Sequence, residues 1–335
     1  MNTNEVVRLA LDYRNGEVQG NYTKAQTSET LRQALIEANG GKTKLDIRDI
    51  RDGNCAELFE IIEQVLDTVK RDVMTTNPLF QRLVDYHNIA FGDAYDFVIP
   101  DDEDFVVSEI GGGNQGIRRQ RIVGGSTVSV RPTWKAIKIY EEIELILAGR
   151  VDFNDAINRV ARSFANQVYG DINTVLTGLI SNIAAPYKVT GNFSESSMLS
   201  LIQHVEANNN ANAATIFGTK VALASCVGTT DSSTQTALND KYLTGVMQYF
   251  WGTPKVELKQ LHKPGTDTFM FDDDKLWVLA SATKPILYVT EGNSLVLPHN
   301  FTENVDMTQE YMLMEKTGIA AYVPAGAGKI GVYDI

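Results

Sequence analysis

The sequence predicts an α+β protein. Two observations support this class: apolar residues recur at helical spacing in the first part of the chain, and short β-rich segments separated by glycine and proline follow. A third is a long amphipathic segment, residues 153–183, which keeps one apolar face across roughly eight helical turns. With 335 residues, 43% of them apolar and 21% charged, the chain can bury a sizeable core.

Residues 1–84 are predicted to be helical. A short helix begins near Thr27–Thr30 and ends at Gly40-Gly41. A second helix is expected over residues 55–74, because apolar residues recur there at spacings of three and four, and Asn77-Pro78 ends it. One side of this helix is apolar, which predicts an arm that packs on the body of the protein or on another subunit.

Residues 85–133 are expected to form a long, exposed β-hairpin, whose tip is the glycine-rich turn 111–116. The β-rich pieces are Tyr95–Ile99, Phe105–Ile110, Ile117–Val123 and Thr127–Val130. A projecting hairpin of this size is marginal by itself and needs a partner surface.

Charge is segregated along this hairpin. Eight acids and no base precede the turn, and six bases and no acid follow it before Glu141. Each side of such a hairpin can pair with the oppositely charged side of a hairpin on a neighbouring copy, which indicates an assembly protein. The acids are Asp85, Asp93, Asp96, Asp101, Asp102, Glu103, Asp104 and Glu109, and the bases are Arg118, Arg119, Arg121, Arg131, Lys135 and Lys138.

The long amphipathic segment predicts a helix with Asp152 as its N-cap. At about 1.5 Å per residue it would span on the order of 46 Å. An alternating α and β pattern then predicts an α/β unit and a β-rich C-terminus. The helices expected there are Ser194–Asn208, Thr219–Val227 and Thr236–Phe250. The expected strands are Ala213–Gly218, Lys255–Leu258, Phe269–Phe271, Leu276–Ala280, Ile286–Thr290, Gln309–Glu315, Gly318–Val323 and Ile330–Tyr333.

Two glycine motifs resemble phosphate-binding loops but lack the context that those loops require. Gly111-x-Gly113-x-x-Gly116 is followed by a β-rich piece, whereas a dinucleotide site needs a helix N-terminus there. Gly40-Gly41-Lys42-Thr43 has Ile36 where the first glycine of a phosphate loop belongs, so a helix stop explains it better. We therefore expect no cofactor.

No residue pattern predicts catalysis or a metal site. The acidic runs 101–104 and 272–274 lack the spacing of a calcium loop and are interpreted as solvated turns. The four histidines have no paired spacing, and no nucleophile-elbow motif occurs. Cys55 and Cys226 are expected to be reduced thiols. We therefore predict no catalytic, metal or cofactor-binding residues.

The composition also limits the partners. A net charge of −12 repels phosphate backbones and disfavours nucleic-acid binding through the bulk of the protein. The N-terminal residues lack the pattern of a signal peptide, and no apolar run is long enough to predict a membrane span.

The order of these parts resembles the major capsid protein of tailed bacteriophages with the HK97-like fold, over roughly residues 85–335. Ser108–Gly112 looks like the family's glutamate-glycine stretch in its extended loop, and Ile139–Leu147 looks like the strand and short helical turn before its spine helix. Residues 150–171 resemble the start of that helix. Tyr311–Asp334 is similar to the closing strands.

The resemblance implies a domain organisation and a function. It divides the chain into an N-terminal helical arm (1–84), an extended hairpin loop (85–133), a peripheral domain (134–189 and 306–335) and an axial domain (190–305). The protein would assemble with itself in hexamers and pentamers into an icosahedral or prolate shell. Glu109, Arg118, Arg119 and Arg121 of the hairpin would contact the neighbouring subunit.

The same resemblance implies the location and the further partners of the protein. The shell would enclose double-stranded DNA without sequence-specific binding, in the virion, after assembly in the host cytoplasm. A portal and scaffolding or decoration proteins would be further partners, and no membrane would be involved. Two alternatives stay open at this point: an encapsulin-like cellular shell protein, which shares the fold, and a soluble α/β enzyme that uses residues 190–300.

Overall fold

The computed structural model describes most of the chain, which contains both helices and strands. The residues described are 3–15, 23–45, 47–75, 78–99, 105–109, 119–121, 125–140, 142–210, 212–228, 243, 245–280, 284–298, 310–323 and 329–335. No helix in this part of the chain has the length and hydropathy that a membrane span requires.

The N-terminal region is helical, as predicted. Its helices are α1 (Thr3–Asn15), α2 (Lys24–Ala38), α3 (Ile47–Arg51), α4 (Ala56–Thr75) and α5 (Pro78–Leu83). The apolar stripe of α4 is buried against α1 and against the long helix described below, in one core cluster. The buried members of that stripe are Leu58, Phe59, Ile61, Ile62, Val65, Leu66 and Val69.

Helix α2 begins earlier than the sequence pattern indicated. Thr23 is its N-cap and forms a capping box with Gln26: the Thr23 hydroxyl accepts a hydrogen bond from the Gln26 amide, and the Gln26 side chain accepts one from the Thr23 amide. At the other end, Gly40 and Gly41 have positive φ, and their amides donate to the carbonyls of Glu37 and Ile36. This Schellman motif confirms the helix stop at Gly40-Gly41.

The N-terminal helices pack on a five-stranded sheet. It contains β1 (Val84–Ile89), β4 (Thr133–Tyr140), β10 (Ile286–Glu291), β11 (Leu295–Pro298) and β12 (Glu310–Ala321). The long strand β12 pairs with β4 along one edge and with β10 and β11 along the other. The sequence predicted two strands in place of β12. Gly318 does not interrupt the strand, because its lack of a side chain admits Val130 and Pro132.

The long helix lies against the same side of this sheet as the N-terminal helices. It follows α6 (Glu142–Leu147) and is formed by α7 (Phe153–Leu179), continued by a 3-10 turn at Ile180–Asn182. Asp152 caps it through a hydrogen bond from the Asn154 amide, 2.9 Å, as predicted. Its 27 residues span about 40 Å. Its apolar face contributes to both main core clusters, so it connects the two sheets.

A six-stranded sheet forms the second unit, in the order β5-β13-β9-β6-β8-β7. Its strands are β5 (Lys188–Thr190), β6 (Ala214–Gly218), β7 (Tyr249–Phe250), β8 (Thr253–Glu257), β9 (Lys275–Ala280) and β13 (Gly331–Asp334). Helices α8 (Glu195–Asn208) and α9 (Lys220–Ser225) pack on it. Cys55 and Cys226 are both free and buried.

Two predictions in this unit differ from the structure. The helix predicted over Thr236–Phe250 does not reach its predicted end: Leu243 is helical, but Gly245 has a φ of +81°, and Tyr249–Phe250 is the edge strand β7. Phe269–Phe271 is no strand either, since Phe269 forms only an isolated bridge with His262. In both cases, tertiary pairing outweighs local propensity.

Strand pairing also crosses the ranges that the sequence suggested for the two domains. Strands β10 and β11 lie within residues 190–305, yet they pair with β12 or β1 in the five-stranded sheet. Strand β13 lies within residues 306–335, yet it pairs with β9 and β5 in the six-stranded sheet.

Candidate assembly surface

The root of the predicted hairpin is a two-stranded antiparallel ladder. Strands β2 (Tyr95–Ile99) and β3 (Ser126–Val130) pair from Tyr95↔Val130 to Ile99↔Ser126, as the β-rich pattern predicted. Phe97 and Val130 are buried in a small core with two residues of β10, Leu287 and Val289. This core fixes the root of the hairpin on the side of the five-stranded sheet that faces away from the long helix.

An aromatic group on β1 supports the root. The His87 ring stacks on Tyr95 with 4.3 Å between ring centroids and meets the edge or face of Phe97 at 5.2 Å. Asp85 lies 3.4 Å from the same imidazole. These contacts hold the first hairpin strand against the edge strand of the sheet.

In the middle of the hairpin, one side chain connects the stretch before the glycine-rich turn to the stretch after it. The Gln120 amide accepts a hydrogen bond from the Val106 N–H at 2.8 Å and donates one to the Val106 carbonyl at 2.7 Å. Residues 105–109 and 119–121 form no strand, so the strands predicted at 105–110 and 117–123 are wrong over their described parts. The reason is a contact from the other side of the hairpin: Gln120 occupies the hydrogen-bonding groups of Val106 that a partner strand would use.

This middle segment exposes apolar side chains. Phe105 and Val106 are more than half exposed, and Val107 is 93% exposed. Glu109, Arg119 and Arg121 lie beside them and are also exposed. Arg118, the fourth predicted contact residue, lies outside the described residues, as do the acidic run 101–104 and the glycine turn 111–116. The structure therefore places Glu109, Arg119 and Arg121 on two exposed stretches, 105–109 and 119–121, which the Gln120 side chain joins.

Two lysines of the basic block have partners in their own chain. Lys135 pairs with Asp171 of α7, and Lys138 pairs with Glu310 of β12. These ion pairs tie β4 to the long helix and to its neighbouring strand. The positive charge that the hairpin itself presents in the described chain therefore comes from Arg119, Arg121 and Arg131, all of which are exposed.

The five-stranded sheet has an exposed apolar area beside the hairpin root. Successive residues of β4 alternate between the helix side and the other face. On that other face, cross-strand pairing places Ala136 beside Met314, and Met312 beside Leu297. We call this area the open face. Its exposed large apolar side chains are Trp134, Tyr140 and Leu297, and the ion pair of Lys138 with Glu310 lies on the same face.

Sequence reasoning missed the open face. Apolar and polar residues alternate partly along Thr133–Tyr140, which is the pattern of a strand with one exposed face. The second half of the surface comes from β11 and β12, which lie more than 150 residues away in the chain. No spacing rule along the chain predicts which strands become neighbours.

A buried group of charges holds α4 on the other side of the same sheet. The Lys70 ammonium, in a residue only 8% exposed, donates to Glu315 at 2.5 Å and to the Ser294 hydroxyl at 3.0 Å. The Asp67 carboxylate accepts a hydrogen bond from the Ser294 amide. Nearby, Glu63 accepts one from the Val296 amide at 2.7 Å, and burial raises the pKa of its carboxyl group.

The described part of the chain contains no cluster of side chains that would form a metal site. There, His, Cys, Asp and Glu form no group of three or more that could hold a metal ion. In the acidic turn 272–274, the Lys275 ammonium contacts the carboxylates of Asp272 and Asp274 at 2.9 and 3.0 Å. Lys275 therefore offsets part of the negative charge of this turn.

The exposed hairpin and the open face together define a candidate surface for contacts with other protein chains. The sequence matches the family described as "SPbeta prophage-derived putative capsid protein YonB" over residues 18–330, and the chain belongs to this family. It is a phage capsid shell protein, and copies of it assemble into multimeric shells in the virion. The predicted HK97-like α+β fold is confirmed.

Solved structures are similar to this chain at low sequence identity. A phage-related protein from Bordetella bronchiseptica RB50 is 13% identical, with a TM-score of 0.50 over 81% of this chain and 96% of that chain. The PhiM1 mature capsid is 9% identical, with a TM-score of 0.47 over 77% and 87% of the two chains. The SrpI encapsulin of Synechococcus elongatus PCC 7942 is 13% identical, with a TM-score of 0.43 over 78% and 88%. No curated protein matches this sequence.

Proposed function

We propose that the chain is the major capsid protein of a tailed phage or prophage, without enzymatic activity. It forms hexamers and pentamers of an icosahedral or prolate shell that encloses double-stranded DNA. Family membership supports the capsid role. The observation that carries the assembly mechanism is the exposed segment Phe105–Glu109, which is β-rich in sequence and exposes Val107 almost completely.

The parts of the chain have separate roles in this proposal. Residues 1–84 form the helical arm and 85–133 the extended hairpin. The sheet that contains β12, together with α7, forms the peripheral domain, and the sheet that contains β9 forms the axial domain near the capsomer centre. The pairing of β10, β11 and β13 supports drawing this division by sheet rather than by a single cut in the chain.

The hairpin makes the contact between neighbouring copies. Glu109, Arg118, Arg119 and Arg121 act mainly in encounter and partner choice, because exposed rim charges govern these steps more than they govern affinity. The apolar residues Phe105–Val107 supply buried area once the copies have met. The open face of the neighbour is the receiving surface, since it exposes large apolar side chains and continues beyond the half of the sheet that the hairpin root already covers.

Charge reversal tests the hairpin contact. Replacing Arg118, Arg119 and Arg121 with Glu should leave a folded subunit that fails to form particles under conditions where the wild type assembles. A matched control replaces Arg8, Arg150 and Arg162 with Glu, which changes the net charge equally at exposed positions outside the hairpin. Normal particle yield from the hairpin variant would remove this role, and failure of both variants would show a general charge effect.

A disulfide test locates the receiving surface. The double variant Val107→Cys with Ala136→Cys should form a reducible ladder of linked subunits in assembled particles, because each copy carries both halves of the bond. The native thiols do not interfere, since Cys55 and Cys226 are buried. Pairing Val107→Cys with Val221→Cys, at an exposed position on α9, serves as the control. A ladder in the control alone would place the hairpin elsewhere.

A portal, scaffolding or decoration proteins and packaged DNA complete the proposed set of partners, with assembly in the host cytoplasm. The alternative is an encapsulin-like cellular compartment. The prophage-derived family favours the phage assignment. Electron micrographs of particles from an induced host separate the two: DNA-filled heads with tails support the phage role, whereas DNA-free, enzyme-loaded shells support the compartment.

A further inference from the structure

One edge of the five-stranded sheet is blocked against further strands. Along β11, the Val296 N–H donates to the Glu63 carboxylate of α4 instead of to a strand. Directly before β11, the Ser294 N–H donates to Asp67 of the same helix. Two residues after Val296, Pro298 has no N–H. Proline and side chains that occupy edge groups keep another strand from pairing, so this edge is closed to a second chain.

The edge at β4, on the other side of β12, is open. Strand β4 pairs with β12, and the described part of the chain contains no strand on its other side. Alternate residues of an antiparallel strand direct their N–H and C=O groups away from the partner, and none of the eight residues of β4 is a proline. Beside this edge, Ile137 and Ile139 are only partly buried on the helix side. Trp134 and Tyr140 are exposed on the open face, so an added strand would cover apolar surface on both sides of the sheet.

Residues 105–109 have the properties that this edge requires. The N–H and C=O groups of Val106 both bond to the Gln120 side chain, so they point to the same side of the segment. In an extended chain, the corresponding groups of Phe105 and Val107 then point to the opposite side, where the described residues offer them no partner. The side chains of residues 105–107 are apolar and more than half exposed, so the segment is apolar on both faces. Every copy carries both the segment and the edge, and the segment does not pair with its own β4, so the edge that fits it is that of a second copy.

Charge favours one direction for the added strand. The β4 edge begins just after Arg131, which is exposed, and it is followed in sequence by Glu141 and Glu142. The charged residue of the segment 105–109 is Glu109, at its C-terminal end. An antiparallel alignment places Glu109 at the Arg131 end of the edge, whereas a parallel alignment would place it at the acidic end.

We propose that residues 105–109 of one copy add as an antiparallel strand to the β4 edge of a second copy. This inference rests on the proposed capsid function and deepens it, because it names the main-chain contact at the rim of the open face. Hydrogen bonds from the backbone of Phe105 and Val107 give the affinity of such a contact, and their side chains give its register. The Gln120 side chain holds the segment extended before the copies meet, so pairing costs less conformational entropy.

Proline substitution tests the main-chain contact. Val107→Pro removes the N–H that faces β4 of the neighbour and leaves the bonds between Val106 and Gln120 in place, so the concentration needed for particle formation should rise roughly tenfold. Ser108→Pro makes the same change one residue later, where the N–H points to the Gln120 side, and should assemble within about threefold of the wild type. Both positions are exposed, so the melting temperature of the unassembled subunit should not change. Assembly of Val107→Pro at the wild-type concentration would overturn the strand pairing.

Exchange of charges tests the direction of the strand. Glu109→Lys brings like charges together at Arg131 and should raise the concentration needed for assembly several-fold. Adding Arg131→Glu should restore it, because each copy then carries the reversed pair. A double variant that assembles no better than Glu109→Lys would overturn the antiparallel alignment.

Hydrogen exchange on wild-type particles measures the pairing directly. The amides of residues 105–109 and alternate amides of β4 should exchange more than about tenfold slower in particles than in the unassembled subunit, because strand pairing covers the N–H groups themselves. Particles in which the β4 amides exchange as fast as in the subunit would overturn this inference and leave the capsid function intact. Failure of the wild-type chain to form particles under any condition would reject the proposed function itself and this inference with it.

Discussion

Removal of Lys70 tests how the N-terminal helices are fixed to the body. Lys70 on α4 and Glu315 on β12 are separated by 245 residues in sequence, yet their charged groups are 2.5 Å apart, and the residues are only 8% and 2% exposed. Lys70→Met keeps the length of the side chain but leaves the Glu315 carboxylate buried without its cation. Breaking a buried ion pair in this way costs about 3–5 kcal/mol.

The double variant separates burial of a lone charge from simple loss of a contact. Lys70→Met with Glu315→Leu removes both charges and keeps a similar volume, so we expect most of the loss to be recovered. Urea unfolding of the unassembled subunit, followed by circular dichroism, measures the four free energies of the cycle. A loss below about 1 kcal/mol in Lys70→Met, or a double variant no more stable than the sum of the single effects, would refute this account.

Three further predictions concern other parts of the chain. Asp152→Ala removes the N-cap of α7 and should lower the free energy of unfolding by about 1–2 kcal/mol, measured by urea unfolding, whereas Asp152→Asn should retain most of it. Gln120→Leu removes both hydrogen bonds to Val106, so hydrogen exchange of the Val106 amide should become roughly tenfold faster, since each bond is worth about 1 kcal/mol; unchanged exchange would contradict the proposed bridge. Burial raises the pKa of Glu63, so the wild type should lose stability as pH rises from the ordinary glutamate pKa through this raised value. Glu63→Gln, which keeps an acceptor for the Val296 amide, should show a flatter dependence of melting temperature on pH in that range.

Local patterns in the sequence were sufficient for several elements. The apolar stripe of α4, the Asp152 cap and the stop at Gly40-Gly41 depend on interactions within a few residues, and each is found where the pattern predicts it. The hairpin root was also predictable, because alternation and glycine punctuation mark two strands that are joined by one connection.

Elements that depend on distant partners were predicted poorly. Residues 105–109 have strong β propensity, but Gln120 takes the hydrogen bonds of Val106 and no ladder forms over these residues. Gly318 resembles a strand break, yet it lies within β12 because Val130 packs where a side chain would be. In each case a contact from elsewhere in the chain outweighs a local preference of about 1 kcal/mol or less.

The amino-acid sequence alone determined the α+β class, the order of arm, hairpin, long helix and α/β unit, and the separation of charge along the hairpin. Only the tertiary structure decided which of those charges remain available to a neighbour, since Lys135 and Lys138 are paired within the chain while Arg119 and Arg121 are exposed. It also created the open face and left β4 at an edge of the sheet. The physical reason is that helix caps and periodicity act over a few residues, whereas exposure and ion pairing depend on which distant segments fold against one another.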